Sequence, residues 1–136
     1  MRIRPYSQID ELDVVKLWGT VFPEAPVWND PATDIHIKLR QQPELFFVAE
    51  VDNRLVGTAM SGFDGHRGWV YYVAVDPEYR RRGIGSALMR QVESGLAAAG
   101  CPKLNLQIRS TNAEVRSFYE SLVYTIEDRI SMAKKL

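Results

Sequence analysis

Seven consecutive residues carry the clearest chemistry in the chain: Arg80-Arg81-Arg82-Gly83-Ile84-Gly85-Ser86. Three guanidinium groups supply fixed positive charge suited to a diphosphate. Two glycines let a bulky anion approach the backbone without meeting a side chain. A helical pattern follows at once, with Ile84, Leu88, Val92 and Leu96 at four-residue spacing and Ala87 beside them. The first amides of a helix have no intrahelical partner and face outward at the positive end of its dipole. The spacing therefore predicts a phosphate-bearing ligand at residues 81–86. A short Gly-x-Gly also serves plain tight turns; the strand before it and the helix after it favour the ligand.

Other reactive residue types are few. Cys101 is the single cysteine, which excludes an internal disulfide; it sits between Gly100 and Pro102 and reads as structural. His36 and His66 have no metal-ligand spacing, so no metal is expected. Tyr119 shares an apolar helical face with Val115, Phe118 and Leu122, so periodicity alone reads it as a packing residue. Asn112 stands where a helix N-cap is expected. No Gly-Lys-Ser/Thr is present, which disfavours a different nucleotide binder sharing the same turn.

These residues need a scaffold, and the chain spells one out. Residues 69–75 are aromatic and β-branched, as a half-buried strand requires, and Asp76-Pro77 stops that strand. Before it, residues 2–6 read as a strand, followed by a weak capping signal at Ser7 and Asp10. Val14, Leu17, Trp18, Val21 and Phe22 form one face of a helix that Pro23 ends, and a loop runs to Asn29. Asp30-Pro31 opens a second helix with Ile35 and Leu39 inward, stopped by Pro43. Residues 45–51 and 54–60 read as a hairpin turning at Asp52-Asn53, and Ser61–Gly68 is a glycine-rich turn. After the helix at 84–98, Gly100 is a stop, and residues 104–109 alternate as a strand. A helix through Val115–Leu122 and two short strands, 124–128 and 130–134, complete the chain. The order is β α α β β β α β α β β: an α/β protein with one mixed sheet and a single domain over residues 1–136.

Two of these motifs carry a resemblance. Val-Ala-Val-Asp-Pro followed by Arg80-x-x-Gly83-x-Gly85 resembles the coenzyme A signature of the Gcn5-related N-acetyltransferase (GNAT) family. The segment from Asn112 through Phe118-Tyr119-Glu120-Ser121-Leu122-Val123-Tyr124 resembles a second motif of that family, which has Gly where this chain has Val123. Trp28-Asn29-Asp30-Pro31, Asp64–Gly68 and Gly100–Lys103 are similar to the small bacterial YpeA-type members. The resemblance implies the acyl-CoA N-acyltransferase fold, with the strands at 69–75 and 104–109 splayed to admit coenzyme A. It implies acetyl-CoA as co-substrate and an amine of a small molecule or peptide as acceptor. Backbone groups of Val73 and Val75 would pair with the pantetheine arm, and the Val73 amide would face the oxyanion. Arg80, Arg81, Arg82, Gly83, Ile84, Gly85 and Ser86 would hold the pyrophosphate. Tyr119 would protonate the leaving thiolate; Asn112 would either contact the cofactor arm or cap its helix. Relatives that carry a glutamate base on the central strand differ from this chain, which has Trp69, Tyr71 and Tyr72 there. Glu24, Glu50, Asp64 and His66 are the alternatives, and Trp28, Trp69 and Tyr71 could line an acceptor pocket. A non-catalytic acyl-CoA-binding module on the same fold is the other reading.

Seventeen basic and seventeen acidic residues cancel, which argues against a nucleic-acid or anionic-membrane binder. No apolar run of about 18 residues exists, and the first residues carry no secretory signal, so a soluble cytoplasmic protein is expected. Strand edges near the C-terminus could pair two copies as a homodimer.

Overall fold

A computed structural model describes residues 1–25 and 30–136. The end of the loop expected up to Asn29, and with it Trp28, lies outside the described residues. The chain forms two compact units, Met1–Leu106 and Gln107–Leu136.

In the first unit, strands β1 (Arg2–Pro5), β2 (Phe46–Val51), β3 (Arg54–Phe63), β4 (Gly68–Val75) and β5 (Leu104–Asn105) form one sheet in the order β1-β2-β3-β4-β5. The first four are antiparallel neighbours, and β5 runs parallel to β4. The β2–β3 turn is the expected Asp52-Asn53, both at positive φ (51° and 62°), the twist that matches a hairpin.

Helices α1 (Glu11–Val21) and α2 (Pro31–Lys38) cover one sheet face and α3 (Ile84–Ala98) the other. On the first face Val14, Leu17, Trp18 and Ile35 pack with Phe46, Val48, Met60 and Ala74. On the second, Ile84, Leu88, Met89, Val92 and Leu96 are buried. Burying each such side chain is worth about 1.5–3 kcal/mol. The backbones come close there: a Cβ at Gly57 would stand 3.0 Å from Leu88 and 3.1 Å from the Ala74 carbonyl. Behind α3, Gly100 at φ 88° closes the helix, its amide on the Ala97 carbonyl and the Cys101 amide on that of Leu96. Cys101 Sγ packs over Gly68, 2.7 Å from where a Cβ would be, consistent with a structural role.

Three local expectations change. Asp30 precedes α2, but its carboxylate accepts from the Thr33 hydroxyl (2.7 Å) and caps no amide. The strand expected at 104–109 is only Leu104–Asn105, because its ladder with β4 covers only Gly68 and Trp69. No strand forms at 124–128 or 130–134, so the edges expected to pair copies there are not present. An extended segment needs a partner ladder and a surface for its apolar face, whereas Ile126, Ile130 and Met132 are 71%, 90% and 90% exposed.

The second unit holds α4 (Ala113–Ser121), capped by Asn112, whose side chain accepts from the Val115 amide at 3.1 Å. Val123, at the position noted as a departure, has φ 72° and is 86% exposed. Among the described residues no helix is long and apolar enough to cross a membrane.

Candidate active site

At the end of β4, Asp76 accepts from the Glu78 amide (2.9 Å) and Pro77–Tyr79 form one tight helical turn. The chain then extends at Arg80, turns left-handed at Arg81 (φ 65°) and Gly83 (φ 77°), and enters α3. The left-handed φ, not lack of space, is what favours glycine at Gly83, since a Cβ there would meet nothing within 4 Å. The first bond along α3 runs from the Ala87 amide to the Gly83 carbonyl (3.0 Å), and no side chain caps the helix. The amides of Ile84, Gly85 and Ser86 thus precede the helical ladder. Arg80, Arg81 and Arg82 are exposed around them. Arg80 Nε donates to the Val75 carbonyl (3.3 Å), and Arg82 lies 4.9 Å over the Tyr79 ring. Arg54 also lies over that ring, at 5.6 Å, and pairs with Asp76 at 3.8 Å. Nothing in the hairpin pattern marked Arg54 as a neighbour of this turn.

Upstream, β4 is not regular. Met60 pairs with Tyr71 and Thr58 with Ala74, so β4 carries one extra residue against β3. The bulge centres on Tyr72 at φ 51°, a conformation that costs a non-glycine residue about 1–3 kcal/mol. Buried polar contacts hold it there. Trp18 Nε1 donates to Thr58 Oγ1 (2.9 Å), which donates to the Tyr72 carbonyl (2.7 Å). The Tyr72 ring stacks on Trp18, centroids 3.7 Å apart, and its hydroxyl donates to Asp34 Oδ2 at 2.6 Å. Burial first, then Asp34, pushes the Tyr72 phenol well above its ordinary range. Val73 and Val75 follow the bulge directly. On this stretch β4 has β3 on one side and no strand on the β5 side, where pairing ends at Trp69. Thr58 and Trp18 were read only as strand and core; a hydroxyl amid the apolar run 55–60 was the one available signal.

On the face of α2, a groove of about 750 Å³ is lined by Asp34, Lys38, Gly62, Trp69, Tyr71 and Tyr72, among others. The Trp69 and Tyr71 rings lie parallel, 6.4 Å apart. Both were expected to line an acceptor pocket, and the groove contains them. Burial and the nearby Asp64 carboxylate raise the Tyr71 phenol.

The candidate bases are scattered. Glu50 is paired with Arg4, and Asp64 accepts from the His66 and Arg67 amides (2.8 Å each), which hold it below the usual carboxylate range. Glu24 and His66 are exposed. Among the described residues no group of three or more His, Cys, Asp or Glu could hold a metal.

Tyr119 and Asn112 belong to the second unit. Tyr119 is 7% exposed, edge-on to Phe118 (4.9 Å) and Tyr124 (5.7 Å), and burial pushes its phenol up to about 12. Asn112 spends its oxygen as the cap of α4.

The sequence profile of the acetyltransferase (GNAT) family matches residues 12–123. An acetyltransferase of Yersinia pestis (strain Pestoides F) is 47% identical over 136 residues, spanning 100% of this chain and 96% of the relative. The solved structure of Ard1 from Thermoplasma volcanium aligns with a TM-score of 0.80 at 27% identity, over 93% of this chain and 83% of that one. AAC(6')-Iy, solved in complex with the bisubstrate analogue CoA-S-monomethyl-acetylneamine, shares the fold with a TM-score of 0.83 at 17% identity, over 99% of this chain and 97% of that one. With its profile, its full-length relative and its fold in agreement, the chain belongs to the acetyltransferase (GNAT) family.

Proposed function

We propose that the chain is a cytoplasmic N-acetyltransferase, its two units acting as one domain over residues 1–136, that moves the acetyl group of acetyl-CoA onto an amine. One observation carries this reading: the stretch of β4 without a strand on its β5 side runs directly into the arginine-flanked, uncapped opening of α3. That donor set fits the co-substrate. Amides from Arg81 to Ser86, with Arg80, Arg81 and Arg82, take the pyrophosphate. Val73 and Val75 offer backbone groups to the pantetheine amides, as an added strand would. AAC(6')-Iy, solved with an analogue built on CoA, is a precedent for such a ligand on this fold.

In the reaction a neutral amine attacks the thioester carbonyl carbon, and the oxygen takes up the negative charge of the tetrahedral intermediate. The Val73 amide, aimed by the bulge, stabilises that oxyanion; one such donor is worth about 3 kcal/mol of barrier. The C–S bond then breaks, the thiolate takes the Tyr119 proton, and the amine loses its extra proton to water. A phenol near 12 stays protonated, but giving its proton to a thiolate of ordinary pKa is uphill by about 5 kcal/mol. Tyr119 is therefore an assisting acid rather than an indispensable one.

The test is release of coenzyme A thiol with a panel of primary amines, beside calorimetric titration of acetyl-CoA. Lack of acetyl-CoA binding ends the proposal. A second reading, a non-catalytic acyl-CoA-binding module, draws on Asp34 and Asp64, the groove carboxylates, both being engaged by hydrogen bonds. Tight acetyl-CoA binding with no transfer to any amine supports that reading instead.

A further inference from the structure

The groove beside β4 has an unbalanced charge. Its two carboxylates are occupied, Asp34 by the Tyr72 hydroxyl (2.6 Å) and Asp64 by the amides of its own turn (2.8 Å). Its one ammonium is not. Lys38, the last residue of α2, lays its chain across β3, so that a Cβ at Gly62 would come within 3.2 Å of Nζ. Gly62 is the floor that makes room for it, and Trp69, paired with Gly62 in the sheet, stands beside it. Gln42, whose amide is bonded both ways to the Phe63 backbone (3.0 and 2.8 Å), is neutral and cannot balance the charge of the ammonium. Among the described residues no carboxylate lies within ion-pair distance of Lys38.

A lysine in the last turn of a helix could simply answer the helix dipole from solvent. This one folds inward instead, and burial lowers its pKa more than Glu44, on the turn after α2, raises it. A half-desolvated cation without a counter-ion is short of an anion, and the space before it is the groove itself.

We infer that Lys38 is an anion subsite of the acceptor groove, so that the acceptor is an amine bearing a carboxylate or phosphate, with its carbon chain along the Trp69–Tyr71 platform. This rests on the acetyltransferase reading above. The anion accepts from Lys38 Nζ and from the Tyr71 hydroxyl, and the amine end points toward the bulge at Tyr72.

The experiment uses matched pairs of small amines: β-alanine against β-alaninamide, and phosphoethanolamine against ethanolamine. The kcat/KM for thiol release is measured on the full chain. The anionic member of at least one pair is preferred by about tenfold or more, and the better pair distinguishes carboxylate from phosphate. In Lys38→Gln that ratio falls to near one, in Lys38→Arg it is retained, and in Lys38→Glu it inverts. A ratio unchanged in Lys38→Gln, or a preference for the neutral members in the parent chain, overturns the subsite. If none of these four amines is acetylated, the broader amine panel tests the enzyme reading and calorimetry decides the subsite separately. Binding of β-alanine or phosphoethanolamine over its neutral partner, lost in Lys38→Gln, upholds it; equal binding refutes it.

Discussion

Replacing Thr58 with valine exchanges a hydroxyl for a methyl of nearly the same shape at a site with no solvent exposure. The hydroxyl has two partners, the Trp18 indole N–H at 2.9 Å and the Tyr72 carbonyl at 2.7 Å. Both lose their bond, and Trp18, only 1% exposed, has no water to turn to. An orphaned buried donor costs about 1–3 kcal/mol, and the stranded carbonyl adds to this. The new methyl, easier to bury than a hydroxyl, returns part of it. The net loss is about 2–3 kcal/mol, or roughly 6–12 °C in Tm for a chain of this size. The catalytic consequence is separable. The Tyr72 carbonyl is the anchor of a left-handed residue directly before Val73, so its release lets the Val73 amide drift. If that amide faces the oxyanion, kcat falls by about 100-fold with little change in acetyl-CoA affinity. Scanning calorimetry and thiol-release kinetics on Thr58→Val measure both effects. Thr58→Ser keeps the hydroxyl and should keep kcat within a few-fold. A Thr58→Val protein with its kcat intact would refute the link between the buried network and the oxyanion, and one with an unchanged Tm would refute the network.

Val123→Gly should stabilise the protein by about 0.5–1 kcal/mol, because a β-branched residue at φ 72° is strained and glycine is not; thermal melts check this, and a lower Tm counts against the strain. Tyr119→Phe should lower kcat by about 10- to 100-fold and leave the acetyl-CoA dissociation constant within twofold; equal turnover removes Tyr119 from the mechanism. For the acid limb, burial raises Asp10, but Arg4 (2.8 Å) and the Ser7 amide (2.8 Å) outweigh it and hold Asp10 below its ordinary value. A depressed carboxylate contributes stability above about pH 4 that is lost as pH falls further. Urea unfolding of Asp10→Asn at pH 3–7 should therefore be weaker at neutrality and flatter toward acid; an unchanged slope excludes Asp10 as a source of acid sensitivity.

What could be read directly from residue order was whatever repeats locally. The helix α3 spans Ile84–Ala98, where its four-residue apolar spacing puts it, because amphipathic periodicity and a glycine stop are local signals. The turn at Asp52-Asn53 is legible for the same reason. The bulge was not: Trp69 to Val75 reads as uninterrupted strand, and only pairing with β3 shows that one residue is extra. Lys38 was invisible as a binding group, since its place depends on Gly62 in a different element. The C-terminal strands failed in the opposite sense. Ile126, Ile130 and Met132 alternate as a strand would, but a strand exists only where a neighbour supplies its ladder.

The residue that ties the site together is Tyr72, which sequence reading noted only as standing on the strand where relatives carry a glutamate. Tyr72 faces α1 and α2 only because the extra residue turns it there; in a regular strand it would point away from Trp69 and Tyr71. Its ring then fills the core against Trp18, its hydroxyl occupies Asp34 at the groove, and its carbonyl accepts from Thr58. A bulge also bends the strand that carries it, and β4 has no β5 partner beyond Trp69. One backbone irregularity thus sits on the stretch of β4 that lacks a β5 partner and turns Tyr72 so that its hydroxyl occupies the Asp34 carboxylate of the groove. The strain of a left-handed tyrosine is tolerated because its carbonyl, ring and hydroxyl are each held by a different element.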